Sequence, residues 1–228
     1  MEHVLETLFA AVDNLDFQGA AAFLNARNHP SLKNFKNLQE QQYWRPYALE
    51  LEARGFRPQP HLNASASDCG LVMIAIPKNV IEARFLIAQG LSMLSQSGMI
   101  LCAADNKAGG ARLKKMLRSF GLDDIGELSK NRARAAWATK QNAASKEIEA
   151  ALKEGAMQPV LNGAFMSTPG MFAWDKTDKG SEILAQHLPK NLKGKGADFG
   201  CGYGFLARHV LENFQAVENL ICADADWR

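Results

Sequence analysis

The chain has the size and composition of an ordinary globular protein of one or two domains. It contains 228 residues, of which 47% are hydrophobic and 22% charged, and its formal net charge is +2 at pH 7. This apolar content is enough for a real core, so a chain that is disordered throughout is excluded. The small net charge does not by itself indicate nucleic-acid binding, which usually shows as a strong basic excess.

The sequence shows no targeting, membrane-spanning or metal-binding signal. Its first residues lack the basic start and apolar stretch of a signal peptide, and no run approaches the length of a membrane helix. No two cysteines have C-x-x-C spacing, and no histidine lies near them at zinc-ligand spacing. We therefore expect a cytoplasmic protein with reduced cysteines, no bound metal and no membrane association. Cys102 and Cys222 lie in apolar runs, which predicts that both are buried strand residues.

Residues 1–157 are predicted to form an α/β domain. In chain order we expect a helix over 3–12, a buried strand over 71–76, a helix over 78–95, a buried strand over 99–104, a helix over 111–120, a strand over 132–139 and an exposed helix over 143–155. Residues 15–70 give mixed signals and no firm assignment. A strand, a helix and a strand at this spacing are typical of a parallel crossover.

A second domain is predicted from Gln158 onward. We expect a strand over 159–166, a turn over 167–170, a helix over 178–188, a short strand that begins at 197, a helix that begins near 203 and a strand over 220–223. In the helix over 178–188, Ile183, Leu184 and Leu188 form the apolar side. The domain assignment is therefore 1–157 followed by 158–228.

A glycine-rich turn between a strand and a helix is the most informative local pattern. Gly200, Gly202 and Gly204 occupy alternate positions, where glycine permits a tight turn and a close approach of a ligand. The helix that follows directs its free N–H groups and its positive dipole end at the turn. A dinucleotide-binding fingerprint requires glycine or alanine where Phe205 stands, so that reading fails. Instead, Asp198 precedes the first glycine by two residues, which gives D-x-G-x-G-x-G.

A carboxylate at the end of the next strand strengthens this assignment. Asp224 follows the apolar run over 220–223, and a carboxylate there can accept both hydroxyls of a ribose. Asp226 is a weaker candidate for the same role. Glycine turns of this kind also occur without a ligand, but the strand context and the two carboxylates favour a binding site.

These residues resemble the class I S-adenosylmethionine-dependent methyltransferases, and among them the two-domain enzymes that methylate guanine N2 in small-subunit ribosomal RNA. The segment 169–181 is similar to that family's entry into its catalytic domain. The segment 76–79, Ile-Pro-Lys-Asn, is similar to a Pro-Lys-Asn segment in that family's inactive domain. The resemblance implies a Rossmann-like N-terminal domain without a cofactor site, followed by the first part of a second Rossmann-like domain that binds S-adenosylmethionine. The implied cofactor-binding residues are Asp198, Gly200, Cys201, Gly202, Gly204 and Asp224.

One family motif is missing from the sequence. The family grips its target base with an Asn-Pro-Pro-aromatic motif, which occurs nowhere in this chain, so no catalytic residue can be assigned. We expect that the chain is C-terminally truncated, that it is inactive as it stands, and that it binds the cofactor weakly or not at all. A longer chain is expected to bind it clearly.

The partner implied by the resemblance is ribosomal RNA or the small ribosomal subunit. The candidate contacts are Lys114, Lys115, Arg118, Lys130, Arg132, Arg134, Lys190, Lys193 and Lys195, each of which is more simply read as a solvated surface charge. Tyr43, Trp44 and Trp137 are candidates for base stacking, although core packing is commoner. The loop 105–110 fits a plain turn better than a second phosphate cradle.

Two other functions stay open on sequence grounds. One is a methyltransferase that acts on a protein glutamine or a small molecule, because the glycine loop binds the cofactor and does not determine which acceptor is methylated. The other is a non-catalytic RNA-binding or docking module.

Overall fold

The chain divides into two units in the computed structural model, which describes residues 2–62 and 68–228. The N-terminal unit is Met1–Gly155 and the C-terminal unit is Ala156–Arg228. This division lies two residues before the boundary expected from the sequence.

The N-terminal unit is a six-stranded α/β sheet with helices on both faces. Its elements are α1 (Glu2–Val12), β1 (Ala20–Leu24), β2 (Leu38–Gln41), α2 (Arg45–Glu52), β3 (Cys69–Ala75), α3 (Val80–Met93), β4 (Leu94–Asp105), α4 (Leu113–Ser119), β5 (Gly126–Lys130), β6 (Ala133–Thr139) and α5 (Ser145–Gly155). The strand order is β2-β1-β3-β4-β6-β5. The first four strands are parallel, and β6 and β5 complete the sheet in antiparallel orientation.

Two apolar clusters cover the two faces of this sheet. In β3, Val72 and Ile74 pack with residues of α3, whereas Leu71 and Met73 pack with residues of α1. Successive side chains of a strand point to opposite faces, so a run that is buried throughout needs a cover on each side. Every residue of β3 is buried. The sheet is therefore a central layer between helices, as in other parallel α/β folds.

Most of the elements predicted for this unit are present. The α/β class, the helices at α1, α3, α4 and α5, and the strands at β3, β4 and β6 are confirmed. The strand β4 starts at Leu94 rather than at Met99, because α3 ends at Met93 and the chain extends directly from it. The helix α4 starts two residues later than expected, because Gly110–Arg112 forms a 3₁₀ turn.

The C-terminal unit consists of a short hairpin, two helices and a parallel strand pair. Its elements are β7 (Gln158–Val160), β8 (Phe165–Ser167), α6 (Lys179–His187), β9 (Gly194–Phe199), α7 (Phe205–Asn213) and β10 (Val217–Ala223). The strands β9 and β10 pair in parallel, with Ala223 opposite Phe199. Asp178 caps α6 by accepting a hydrogen bond from the Ser181 N–H at 2.9 Å.

One local prediction for this unit was wrong. Residues 159–166 form a hairpin rather than one strand, because Leu161, Asn162 and Gly163 adopt left-handed conformations that reverse the chain. The helix predicted from about residue 203 is confirmed and begins at Phe205, after Gly204 with φ 92°.

The expected burial of several apolar residues was also wrong. Cys102 is buried as predicted, but Cys222 is exposed, because the described residues of this unit place no element over that end of β10. Ile183 and Leu184 on α6 are about half exposed for the same reason. All four cysteines are free thiols. No helix within the described residues is long and apolar enough to cross a bilayer.

Candidate cofactor site

The glycine-rich loop folds over the carboxyl end of β10. The N–H groups of Gly200 and Cys201 both donate to the Ala223 carbonyl oxygen, at 2.8 and 3.3 Å. The Gly204 N–H then donates to the Cys201 carbonyl oxygen at 2.8 Å, which closes a tight turn. The loop therefore lies at the sheet edge where parallel α/β folds bind their ligands.

All three glycines of this loop adopt backbone conformations that favour glycine. Gly200, Gly202 and Gly204 have φ values of 81°, 51° and 92°. A Cβ atom placed on any of them would meet no protein atom within 4 Å. Conformation explains the choice of glycine, and the open space above the loop leaves the backbone accessible to a ligand.

Asp224 faces the loop. Its Oδ2 atom accepts a hydrogen bond from the Gly202 N–H at 2.7 Å, and its Oδ1 atom accepts one from the Asp226 N–H at 2.8 Å. The carboxylate is therefore held at the mouth of the turn by two main-chain donors. It is only partly buried, which leaves room for further hydrogen bonds from a ligand.

Asp226, the weaker sequence candidate, has another role. Its Oδ2 atom accepts a hydrogen bond from the Arg228 guanidinium at 2.6 Å, and both side chains are less than a tenth exposed. Arg228 also donates to the Pro169 carbonyl oxygen at 3.3 Å. This ion pair ties the chain after β10 to the segment before α6.

Asp198 lies on β9, two residues before the loop. Its Oδ2 atom is buried and accepts no hydrogen bond within the described residues. It lines a cavity of about 170 Å³ together with apolar side chains of α6 and α7. A buried carboxylate oxygen without a donor is costly, so this atom calls for a hydrogen-bond partner beyond the chain's own groups.

Cys201 shares the loop with these carboxylates but is not set up as a nucleophile. Burial and the negative charges of Asp224 and other neighbouring groups raise the pKa of its thiol. The thiol is therefore protonated at neutral pH, and its contribution to the site is the turn formed by its backbone.

The hairpin β7–β8 packs against the start of α7. The Phe165 ring packs against Tyr203 and Phe205, with centroid separations of 5.2 and 6.3 Å. Arg208 lies over the same ring and donates to the Ala164 carbonyl oxygen at 2.6 Å. These contacts were not predicted, and no local pattern signals them, because Phe165 and Tyr203 are 38 residues apart in the sequence.

The helix N-terminus beside the loop has no side-chain cap. Gly204 is the N-cap residue of α7 and supplies no side chain to the first-turn N–H groups. The first N–H groups of an α-helix have no intrahelical acceptor, and together with the helix dipole they favour a negatively charged group. The open loop thus has a positive backbone end on one side and the Asp224 carboxylate on the other.

The N-terminal unit has no such loop at the corresponding strand end. Its strands β1 and β2 pair in parallel, as β9 and β10 do, but only a short 3₁₀ helix connects them. After β1, the Asn25 side chain donates to the Ala75 carbonyl oxygen at 2.6 Å and accepts from Gln42 at 3.3 Å. The chain's own polar groups occupy this strand end.

The candidate RNA contacts differ in their surroundings. Lys114 and Arg134 both form ion pairs with Glu127, at 3.2 Å. The other candidates are exposed: Lys115, Arg118, Lys130 and Arg132 in the N-terminal unit, and Lys190, Lys193 and Lys195 in the C-terminal unit.

The aromatic candidates are less available than the cations. Tyr43 is buried and donates a hydrogen bond to Glu82, and Trp137 is partly buried. Trp44 is 38% exposed. Buried aromatic rings contribute to the core and not to base stacking.

The strands and helices form a Rossmann-like α/β fold, and the C-terminal unit carries the glycine-rich loop at the end of a parallel strand. The family model described as "Methyltransferase small domain" matches residues 162–228 of this chain. The match begins in the β7–β8 turn and includes the glycine loop and Asp224.

The chain is also similar to curated methyltransferases and to a solved methyltransferase structure. The chain is 27% identical over 162 residues to ribosomal RNA small subunit methyltransferase C of Alteromonas mediterranea, covering 68% of this chain and 43% of that protein. It is 31% identical over 152 residues to the protein of the same name from Aliivibrio salmonicida, covering 61% of this chain and 41% of the relative. The chain therefore spans less than half the length of these curated relatives.

The structural likeness extends over nearly the whole chain. A 16S rRNA N2 methyltransferase from T. thermophilus, solved in complex with AdoMet and guanosine, matches with a TM-score of 0.75 and 20% identity. The match covers 98% of this chain and 62% of that protein. This likeness confirms the predicted Rossmann-like fold.

Proposed function

We propose that the chain belongs to a cytoplasmic S-adenosylmethionine-dependent methyltransferase that modifies guanine N2 in small-subunit ribosomal RNA. The proposed cofactor-binding residues are Asp198, Gly200, Cys201, Gly202, Gly204 and Asp224. The observation that carries the proposal is the loop of left-handed glycines, which is open above its backbone and has the Asp224 carboxylate at its mouth.

Each part of the loop suits one part of the cofactor. The glycine backbone allows a close approach, and the α7 N-terminus favours the cofactor's carboxylate. The Asp224 carboxylate is suited to accept the ribose hydroxyls. The unpartnered Asp198 oxygen provides an acceptor beneath the loop. When bound, S-adenosylmethionine supplies an electrophilic methyl group, and the protein contributes orientation and electrostatics.

The proposed ribosomal RNA substrate is inferred from the relatives. The curated proteins that match are named as small-subunit ribosomal RNA methyltransferases, and the solved relative is described with guanosine and AdoMet. Within the same proposal, the N-terminal unit serves as a methyltransferase-like domain without a cofactor site. Its side chains already satisfy one another at the β1 end.

Replacing Asp224 with alanine tests the cofactor site. We expect the substitution to weaken S-adenosylmethionine binding by about tenfold or more, because hydrogen bonds to a charged acceptor contribute about 1.5–3 kcal/mol. Asp224→Asn should have an intermediate effect, since it keeps one acceptor oxygen for the main chain but loses the charge. Glu218→Ala is the matched control, because Glu218 is an exposed carboxylate at the other end of the same strand.

The measurement is a nuclear magnetic resonance titration of the isotope-labelled chain with S-adenosylmethionine up to millimolar concentration. We expect chemical-shift changes concentrated at Gly200, Gly202, Gly204 and Asp224, reduced in Asp224→Ala and unchanged in Glu218→Ala. If the loop amides shift neither in this chain nor in the complete enzyme, the cofactor proposal is wrong. A separate experiment identifies the acceptor. The complete enzyme is assayed for methylation of small ribosomal subunits, naked RNA and glutamine-containing peptides.

A further inference from the structure

A pocket lined by polar residues lies in the N-terminal unit at the carboxyl end of β4. It is a cavity of about 630 Å³ lined by His3, Asp105, Asn106, Lys107, Asn131 and Arg132. These residues come from the start of α1, the turn after β4 and the tight turn between β5 and β6. The pocket is therefore built where three segments of the chain meet.

Main-chain and side-chain hydrogen bonds hold the three segments together. The Asn106 N–H donates to the Arg132 carbonyl oxygen at 2.9 Å, and the Thr7 hydroxyl donates to the Lys130 carbonyl oxygen at 3.0 Å. His3 Nε2 lies 2.7 Å from Asp105 Oδ2. The wall of the pocket is thus fixed by contacts that do not use the side chains of Lys107 or Arg132.

The charge balance of the pocket is positive. Lys107 and Arg132 are exposed, and neither forms a salt bridge within the part of the chain that the structure describes. The lining contains one carboxylate, Asp105, which already accepts hydrogen bonds from His3 and from the Lys107 N–H. The hydrogen bond with His3 lowers the pKa of Asp105, so this partner stays ionised at neutral pH. The pocket therefore contains two cationic side chains and one carboxylate, and that carboxylate already accepts two hydrogen bonds.

Arg132 lies in the tight turn of the β5–β6 hairpin. Asn131 and Arg132 both have left-handed conformations, with φ values of 51° and 63°. Asparagine tolerates this region well, but arginine adopts it at an energetic cost. Both residues form the two-residue turn of the β5–β6 hairpin, in which a type I′ geometry requires φ > 0 at each position. The turn therefore sets the position of the Arg132 backbone beside the pocket.

The chemistry of the lining selects phosphate over a base. The lining contains no phenylalanine, tyrosine or tryptophan ring on which a nucleobase could stack, and its one imidazole, that of His3, is held by Asp105. Guanidinium, ammonium and carboxamide groups are donors for phosphate oxygens, and arginine binds them in a bidentate manner. We infer that this pocket binds a backbone phosphate of RNA, with Lys107 and Arg132 as its ligands. The inference rests on the RNA substrate of the proposed function and is independent of methyl transfer.

The test compares two double substitutions that remove the same charges. Lys107→Ala/Arg132→Ala empties the pocket of its cations, and Lys114→Ala/Arg134→Ala removes a lysine and an arginine that are paired with Glu127. Binding to a fluorescein-labelled 20-nucleotide single-stranded RNA is measured by anisotropy at several salt concentrations. We expect the pocket variant to weaken binding about tenfold, at three- to fivefold for each exposed charge. Its salt dependence should become shallower by about 0.7 for one phosphate contact.

A third substitution should act in the opposite direction. Asp105→Asn removes the carboxylate that competes with phosphate, and the amide oxygen can still accept from the Lys107 N–H. We therefore expect tighter RNA binding, by about threefold, from the loss of one exposed like-charge repulsion. Thermal unfolding of each variant, followed by circular dichroism, checks that the fold is intact.

The outcomes separate this inference from the function proposed above. If the wild-type chain binds no RNA, both the RNA substrate and the pocket assignment fail. If it binds RNA but the two double variants weaken binding equally, only the pocket assignment fails. Binding of a labelled polyglutamate peptide can be measured in the same way. If Lys107→Ala/Arg132→Ala weakens peptide binding as much as RNA binding, the assignment to RNA is wrong.

Discussion

Replacing Gly200 with alanine is expected to weaken S-adenosylmethionine binding by at least about tenfold. The added Cβ would meet no protein atom within 4 Å, so it would project into the open space above the loop. If that space holds the cofactor, the methyl group displaces it, and overpacking of this kind costs about 1–3 kcal/mol. The shift changes at the loop amides should then be largely lost over the same titration range.

Gly194 provides a closely matched control for this substitution. Its φ is 78° and that of Gly200 is 81°, and a Cβ at either residue would meet no protein atom within 4 Å. Gly194 is the first residue of β9 and Gly200 follows its last residue, so the two glycines lie about 20 Å apart along an extended strand. Gly194→Ala should therefore have the same conformational cost, about 1–2 kcal/mol for a left-handed non-glycine residue, without an effect on the cofactor.

The comparison isolates the ligand from the backbone. Both variants are expected to lower the melting temperature by similar amounts, whereas only Gly200→Ala should lose the cofactor-dependent shifts. If the two variants bind S-adenosylmethionine equally well, the space above the loop is not the cofactor site. A larger stability loss in Gly200→Ala would instead show that the loop glycine is required by the protein's own packing.

The sequence predicted the parts of the site that are close together in the chain. The alternating glycines and the strand before them predict the turn, and the apolar run before Asp224 places a carboxylate at the neighbouring strand end. Parallel strands bring their carboxyl ends to the same edge of a sheet, which explains why Asp224 meets the loop. The hydrogen bond from the Gly202 N–H to this carboxylate agrees with that prediction.

The features that were missed depend on residues that are distant in the sequence. The ring packing of Phe165 on Tyr203 and Phe205, and the hydrogen bond from Tyr203 to the Lys176 carbonyl oxygen, have no periodic signature. The burial of Cys222 was wrong because an apolar run predicts a strand but not what covers it. Tertiary context decides which faces of a strand are buried.

The region from residue 20 to 52 was missed for a different reason. It contains β1, β2 and α2, which are five, four and eight residues long. Elements this short, separated by asparagine and proline, give too few periods for a pattern to be recognised. Yet β1 lies inside the sheet, between β2 and β3, and the polar groups that follow it occupy the strand end that corresponds to the glycine loop.

Replacing Asn25 with alanine is expected to destabilise the N-terminal unit by about 2–4 kcal/mol, because it breaks a buried hydrogen-bond network. Asn25 is 5% exposed, and its side chain bonds to Ala75 and Gln42. Without it, the Ala75 carbonyl oxygen loses a buried donor, and the Gln42 amide loses one of its two acceptors. Asn25 also has φ 53°, a conformation in which alanine is less stable than asparagine.

Asn142→Ala separates the two contributions. Asn142 has φ 67° but is exposed, so its replacement carries the conformational cost without a buried network. The difference between the two variants in the free energy of unfolding measures the network. Urea unfolding can be followed by the fluorescence of Trp44 and Trp137 in a background where Trp174 and Trp227 are replaced by phenylalanine.

This pair of variants also tests why only one unit is assigned a cofactor. Because the polar groups after β1 satisfy one another, a ligand there would have to displace them, and we expect Asn25→Ala to leave the S-adenosylmethionine shifts at Gly200–Gly204 unchanged. Equal stabilities of Asn25→Ala and Asn142→Ala would mean that the network contributes nothing to the fold. New shifts at the β1 end of the wild-type chain, saturating with S-adenosylmethionine, would show that the N-terminal unit still binds the cofactor.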